Sequence, residues 1–142
     1  MALTVHDATA ILKENFAPWV QELGLVVTEV DGPAATLRLP WSDALAREGG
    51  GLSGQALMAA ADTATVIAIS AARAAKAFGG YGPMTTVQQS ISFQRPVVGA
   101  DVLVTATVTK LGRSLAFADV VMTVHGSDEP IAHASTVYAL LG

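Results

Sequence analysis

The sequence predicts an α+β domain in which one long apolar helix is wrapped by a curved antiparallel sheet of about six strands. Three observations carry that prediction. Apart from Gln55, Asp62, Arg73 and Lys76, residues 55–77 are Ala, Leu, Met, Val, Ile and hydroxyl side chains, unbroken by Gly or Pro. A helix that is apolar nearly all round has to be covered on most sides. Residues 84–141 hold four β-rich runs separated by short turns, which reads as an antiparallel meander, and two shorter runs and another helix precede the long one. At 142 residues the chain suits a single domain spanning 1–142.

Taken in order, Thr4–Leu23 spaces Val5, Ala8, Ile11, Leu12, Phe16, Trp19 and Val20 as one amphipathic helix, with Thr4 or Asp7 as its cap and Gly24 as its stop. Leu25–Val30 and Ala34–Leu39 are short strands joined by the turn Asp31-Gly32-Pro33. A polar loop, Pro40–Gly51, leads to Ser53, the expected cap of the long helix, which runs to about Lys76 and spans roughly 35 Å at the α-helical rise. The remaining strands are Met84–Arg95, Asp101–Leu111, Leu115–His125 and Ile131–Leu141.

Composition excludes several functions. The formal charge of −4 provides no basic field for a nucleic-acid backbone. There is no cysteine for a disulfide or thiolate, and His6, His125 and His133 are too scattered to suggest a metal site. The first residues lack a basic segment ahead of an apolar core, and the long helix carries Asp62 and Arg73. A soluble, cytoplasmic protein with no membrane partner is therefore expected.

Asp62 stands alone in the apolar helix. A buried carboxylate costs several kcal/mol unless paired, so a helix that only had to pack would carry Ala or Leu there. Two readings stay open: a structural partner, or chemistry. Ser53 reads as a cap, since no Gly-x-Ser-x-Gly elbow surrounds it, and Gly49–Gly51 lacks the lysine of a phosphate loop. Thr85, Thr86, Gln88, Gln89, Ser90 and Ser92 put polar groups on both faces of one strand. That pattern suits an edge strand, or one bordering a ligand channel or a dimer seam. Arg95, Lys110 and Arg113 are either solvated turn charges or partners for phosphates.

Three segments, in this order, carry a resemblance. They are Gly49-Gly50-Gly51-Leu52-Ser53-Gly54-Gln55 running into a helix with Asp62 in its third turn, the strand Thr85–Pro96, and the hairpin Val108–Phe117. Over about residues 34–142 the chain resembles the hotdog-fold thioesterases, specifically the PaaI-like acyl-CoA thioesterases. The resemblance implies a hotdog fold and hydrolysis of an acyl-CoA. The backbone N–H groups at Gly54, with Gln55 as a second contributor, would hold the oxyanion, and Asp62 would act as nucleophile or as base for water. Thr86 would assist, and Ser53 and the three cations would contact substrate. No metal or cofactor is implied beyond coenzyme A as part of the substrate. The family's helix usually opens His-Gly-Gly where this chain reads Ser53-Gly54-Gln55, and the position of an Asn or Gln helper used by some members falls near Arg47, so that helper is expected to be absent.

Gly54 and Asp62 are eight residues apart on one helix, ~12 Å by the helical rise. One thioester cannot touch both within a subunit. A dimer with shared sites is therefore expected, alone or within a tetramer. Two rivals stand beside hydrolysis: an acyl-CoA or small-ligand binding module without catalysis, and an enoyl-thioester hydratase, for which no Asp–His pair occurs around Asp62.

Overall fold

The structure is a computed structural model and describes residues 2–142. Its elements are α1 (Val5–Asn15), α2 (Pro18–Gln21), β1 (Val26–Asp31), β2 (Ala34–Leu39), a 3-10 turn at Asp43–Leu45, α3 (Gly54–Ala75), β3 (Met84–Phe93), β4 (Val102–Leu111), β5 (Leu115–Val124) and β6 (Pro130–Leu140). All six strands join one antiparallel sheet in the order β1-β2-β4-β5-β6-β3, with α3 packed on its inner face. This is the hotdog fold.

The core lies where α3 meets the sheet. Leu37, Leu39, Val102, Val104, Val120 and Met122 are completely buried on the strands, facing Ala60, Ala64, Ile67 and Ala68 of the helix. Alanine at so many helical positions lets the sheet curve closely around α3, and burial of this apolar surface stabilises the domain at about 25 cal/mol per Å². The buried hydroxyls of Thr63, Thr65 and Ser70 donate back to the carbonyls four residues earlier, each at 2.8 Å, so none is left unpaired in the core. Although α3 is long and apolar enough to cross a membrane, 78% of its most apolar window is buried inside the domain.

Two sequence expectations are corrected. The N-terminal helix is not continuous: it ends at Asn15, and Phe16 and Ala17 are extended, both with ψ of 151°. Pro18 accounts for this. Its ring drives the preceding residue out of the helical region, while its own fixed φ suits the first position of α2. The start is as expected, with Thr4 and Asp7 capping reciprocally at 3.0 Å. The main-chain and side-chain bonds from Thr4 hold the Asp7 carboxyl below its ordinary pKa.

The last four strands also do not form a simple meander. β4, β5 and β6 do, but β3 pairs with β6, at the far edge from β1. β4, β5 and β6 each alternate a buried face with an open one and so take central places. β3 is open along most of its length and has one strand neighbour. At the opposite end of the core, Asp101 accepts from Arg38 Nε at 2.7 Å and from the Trp41 amide at 2.7 Å, which ties the end of β2 to the start of β4 and holds the Asp101 carboxyl below its ordinary pKa.

Candidate active site

The site is assembled by α3 and β3, which run antiparallel to each other. Ser53 caps α3 by accepting from the Ala56 amide at 3.1 Å, as expected, so its hydroxyl is engaged in the cap. Gly54 follows as the first helical residue. A β-carbon there would come within 3.3 Å of the Phe93 ring, so glycine lets that ring pack closely on the first turn of α3. One turn on, Gln89 Nε2 of β3 donates to the Met58 carbonyl at 3.0 Å, while its Oε1 is enclosed without a donor. After another turn, Thr86 donates to Asp62 Oδ1 at 2.8 Å.

Asp62 is not fully buried: it is half-exposed where α3 emerges beneath β3. Besides Thr86, its Oδ1 accepts the hydroxyl of Tyr138, which also reaches the Asp62 main-chain oxygen at 3.2 Å. Oδ1 is thus occupied by two hydroxyl donors. No hydrogen bond to Oδ2 is formed among the described residues, which leaves that oxygen free to meet water or a carbonyl carbon. Burial first, and then the hydrogen bond to Asp62 and its charge, push the Tyr138 pKa far above its ordinary value of 10.0. The phenol therefore remains a proton donor at any physiological pH.

Tyr138 was missed by the sequence reading. β3–β6 pairing sets it directly opposite Thr86, although 52 positions separate the two. Phe93 was likewise not singled out, yet it walls the Gly54 end. A cavity of about 340 Å³ there is lined by Arg47, Gly54, Leu57, Phe93, Arg95 and Pro96 among others. A smaller one, about 200 Å³, lies at the Asp62 end between Phe16, Tyr81, Thr86 and Tyr138. Within one chain, then, Gly54 and the partners of Asp62 border different cavities.

The other residues singled out in the sequence are dispersed. Gln55 is exposed at the start of α3 and makes no side-chain hydrogen bond among the described residues. Arg95 shares the Gly54 cavity and is ion-paired with Glu129. Lys110 is exposed on β4, and Arg113 lines a separate cavity at the far end of α3. Among the described residues, no group of three or more His, Cys, Asp or Glu side chains could hold a metal ion.

The sequence profile of the thioesterase superfamily matches residues 49–131, a span that includes Gly54, Asp62, Thr86 and Arg113. The chain belongs to the thioesterase superfamily. No curated protein sequence matches it. Among solved structures it is similar to a candidate thioesterase from Silicibacter, at 27% identity and a TM-score of 0.82, with 99% of this chain and 93% of that one covered. It is similar as well to zebrafish thioesterase superfamily member 2 (23% identity, TM-score 0.83, 99% and 100% covered) and to the E. coli PaaI protein from the phenylacetic acid degradation operon (19%, 0.81, 99% and 97%). At these last two identities the likeness is one of fold.

Proposed function

We propose that this superfamily member hydrolyses acyl-CoA thioesters at sites shared between two copies of the chain. The observation that carries the reading is the antiparallel run of β3 along α3: Phe93 stands over Gly54, Gln89 over Met58, and Thr86 over Asp62. A two-fold axis near Gln89 and Met58, with the open edges of two β3 strands side by side, brings the Gly54 end of one chain against the Asp62 end of the other. The half-open face of β3, with Val87 58% and Phe93 48% exposed, supports that pairing.

In this arrangement the amides at the N-terminus of α3 stabilise the negative charge that develops on the thioester oxygen, reinforced by the helix dipole. Asp62 Oδ2 of the partner either removes a proton from water or attacks the carbonyl carbon. Thr86 and Tyr138 hold Oδ1 and so aim Oδ2. Hydrolysis then yields a carboxylic acid and a free thiol.

The test is free-thiol release from a panel of aliphatic and aromatic acyl-CoAs by the wild-type protein and by Asp62→Asn. Turnover that disappears in the folded variant supports hydrolysis. Binding of acyl-CoA without turnover by the wild type would leave the non-catalytic binding module.

A further inference from the structure

The cavity of about 340 Å³ at the Gly54 end combines an apolar wall, Leu52, Leu57, Phe93 and Val97, with two cations, Arg47 and Arg95, and no Asp or Glu side chain lines it. Arg95 is neutralised by its ion pair with Glu129, whereas Arg47 has no acidic partner among the described residues. Its guanidinium is exposed and so remains hydrated while the cavity holds only water.

The glycines at 49–51 are explained by the turn they make and by this side chain. Arg47 N donates to Gly51 O at 2.7 Å and Gly50 N to Arg47 O at 2.9 Å. Gly49 and Gly50 have φ of 96° and 89°, in the left-handed region that favours glycine. Gly51 has no such φ, yet a β-carbon on it would stand 3.2 Å from Arg47 Nη2 and 3.5 Å from Nε. Glycine at 51 therefore keeps room on that side of the fork. Nη1 donates to the Glu48 carbonyl at 2.9 Å, while Nε and Nη2 make no hydrogen bond among the described residues. The loop is also tied to the cavity wall, since Leu52 N donates to Val97 O and Ser53 N to Leu45 O, each at 2.9 Å. A merely solvated arginine has no use for this anchoring. A fixed guanidinium with two donors free suits a carboxylate, which it can meet through two parallel bonds.

We propose that the Gly54 cavity takes the acyl part of the substrate and that Arg47 selects acyl groups ending in a carboxylate, so that the preferred thioesters are those of short dicarboxylic acids. The proposal rests on the acyl-CoA reading above. At about 30 Å³ for each water-sized group, the cavity holds on the order of ten non-hydrogen atoms, which suits a glutaryl group and not a long fatty chain. The apolar wall covers the methylenes between the thioester and the carboxylate. An alkyl acyl group of the same length would displace water from Arg47 and return no anion, so discrimination comes from a cost on the wrong substrate as well as a contact to the right one. Arg95, held by Glu129, has no part in it.

The experiment measures free-thiol release from glutaryl-CoA and from pentanoyl-CoA, which have equal carbon number, with the enzyme-free rate subtracted. Wild type is compared with Arg47→Gln, Arg47→Lys and Gly51→Ala, each checked for folding by circular dichroism. Wild type should favour glutaryl-CoA in kcat/KM by about tenfold or more, and Arg47→Gln should lower that ratio by about tenfold, the worth of a charged hydrogen bond. Arg47→Lys, which keeps the charge and loses the fork, should retain part of the preference, and Gly51→Ala should weaken it by crowding the guanidinium. If Arg47→Gln fails to fold, the same ratio in Arg47→Lys and Gly51→Ala decides, and a ratio at the wild-type value in both overturns the proposal. So does wild type that turns over pentanoyl-CoA at least as well as glutaryl-CoA, or a folded Arg47→Gln with the wild-type ratio. The last includes an equal fall with both substrates, which would put Arg47 on the thioester group or on the Asp62 carboxylate of the partner. If no thioester is turned over, the hydrolase reading fails, and calorimetric titration of the two thioesters decides the role of the cavity: tighter binding of glutaryl-CoA that depends on Arg47 upholds the proposal, and equal binding overturns it.

Discussion

Tyr138 donates its single hydroxyl toward both the carboxylate and the main-chain oxygen of Asp62, locking the last strand onto the middle of α3. With Thr86 on the same carboxylate oxygen, Asp62 has one oxygen fixed and one free. Such an arrangement suits a group that must be aimed, because the aiming bonds leave the second oxygen open.

Removing that donor should harm positioning more than folding. In Tyr138→Phe the ring keeps its packing but Oδ1 retains only Thr86, and a hydrogen bond to a charged group contributes about 1.5–3 kcal/mol. We expect kcat to fall roughly tenfold, KM to change little, and the thermal midpoint to drop by a few degrees. Steady-state kinetics on the best acyl-CoA checks this. An unaltered kcat would mean that Thr86 suffices to orient the carboxylate.

The same phenol gives a pH dependence of defined sign. Its pKa is raised in the folded protein, so its contribution to stability is fully present below the unfolded tyrosine value of about 10 and is lost as pH rises toward the folded value. Urea unfolding of wild type should therefore show a midpoint that declines above about pH 10, and Tyr138→Phe should show a shallower decline. The two proteins differ only in that hydroxyl, so the difference between the two curves isolates Tyr138. Parallel curves would dissociate Tyr138 from the alkaline loss.

Asp62→Asn tests the chemistry itself. Asparagine keeps Oδ1 for both hydroxyl donors and replaces only the free oxygen, so the fold and the thermal midpoint should be near wild type. Loss of a general base or nucleophile should lower kcat by about 10²–10⁴-fold. Folded protein with near-normal turnover would remove Asp62 from the mechanism. Asp62→Ala is a poorer probe, since it strands the Tyr138 and Thr86 hydroxyls at a half-enclosed place without their acceptor.

The extent to which the sequence could be read follows from the range over which its signals act. α3 was legible because its apolar run is local, and its cap at Ser53 and end near Lys76 agree with the structure within a residue. The N-terminal spacing continued through Phe16, Trp19 and Val20 and hid the break that Pro18 imposes. The polar residues on both faces of β3 pointed to an edge strand, but the choice of β6 over β4 as its neighbour is a contest between strands for burial, which no local pattern records. Tyr138 was invisible for the same reason: only the β3–β6 register sets it opposite Thr86. The three cations looked alike in sequence, and only the fold separates Arg95, paired with Glu129, from Arg113 in its own cavity.

The strictest prediction concerns sharing of the site. Gly54 and Asp62 begin and end a ~12 Å stretch of one unbroken helix, so a thioester that meets both must lie between two chains. Under the shared-site proposal, Gly54→Val, which crowds Phe93, should block the approach of a carbonyl to the backbone, and Asp62→Asn should remove the free carboxylate oxygen; each alone should be inactive. Mixed and refolded together, half of the dimers should be heterodimers under random pairing, each with one site that combines an intact Gly54 and an intact Asp62 and one that is doubly damaged. Activity should return to about a quarter of wild type. Verified heterodimers as inactive as their parents would rule out the shared site and require the oxyanion donor to come from the chain that supplies Asp62.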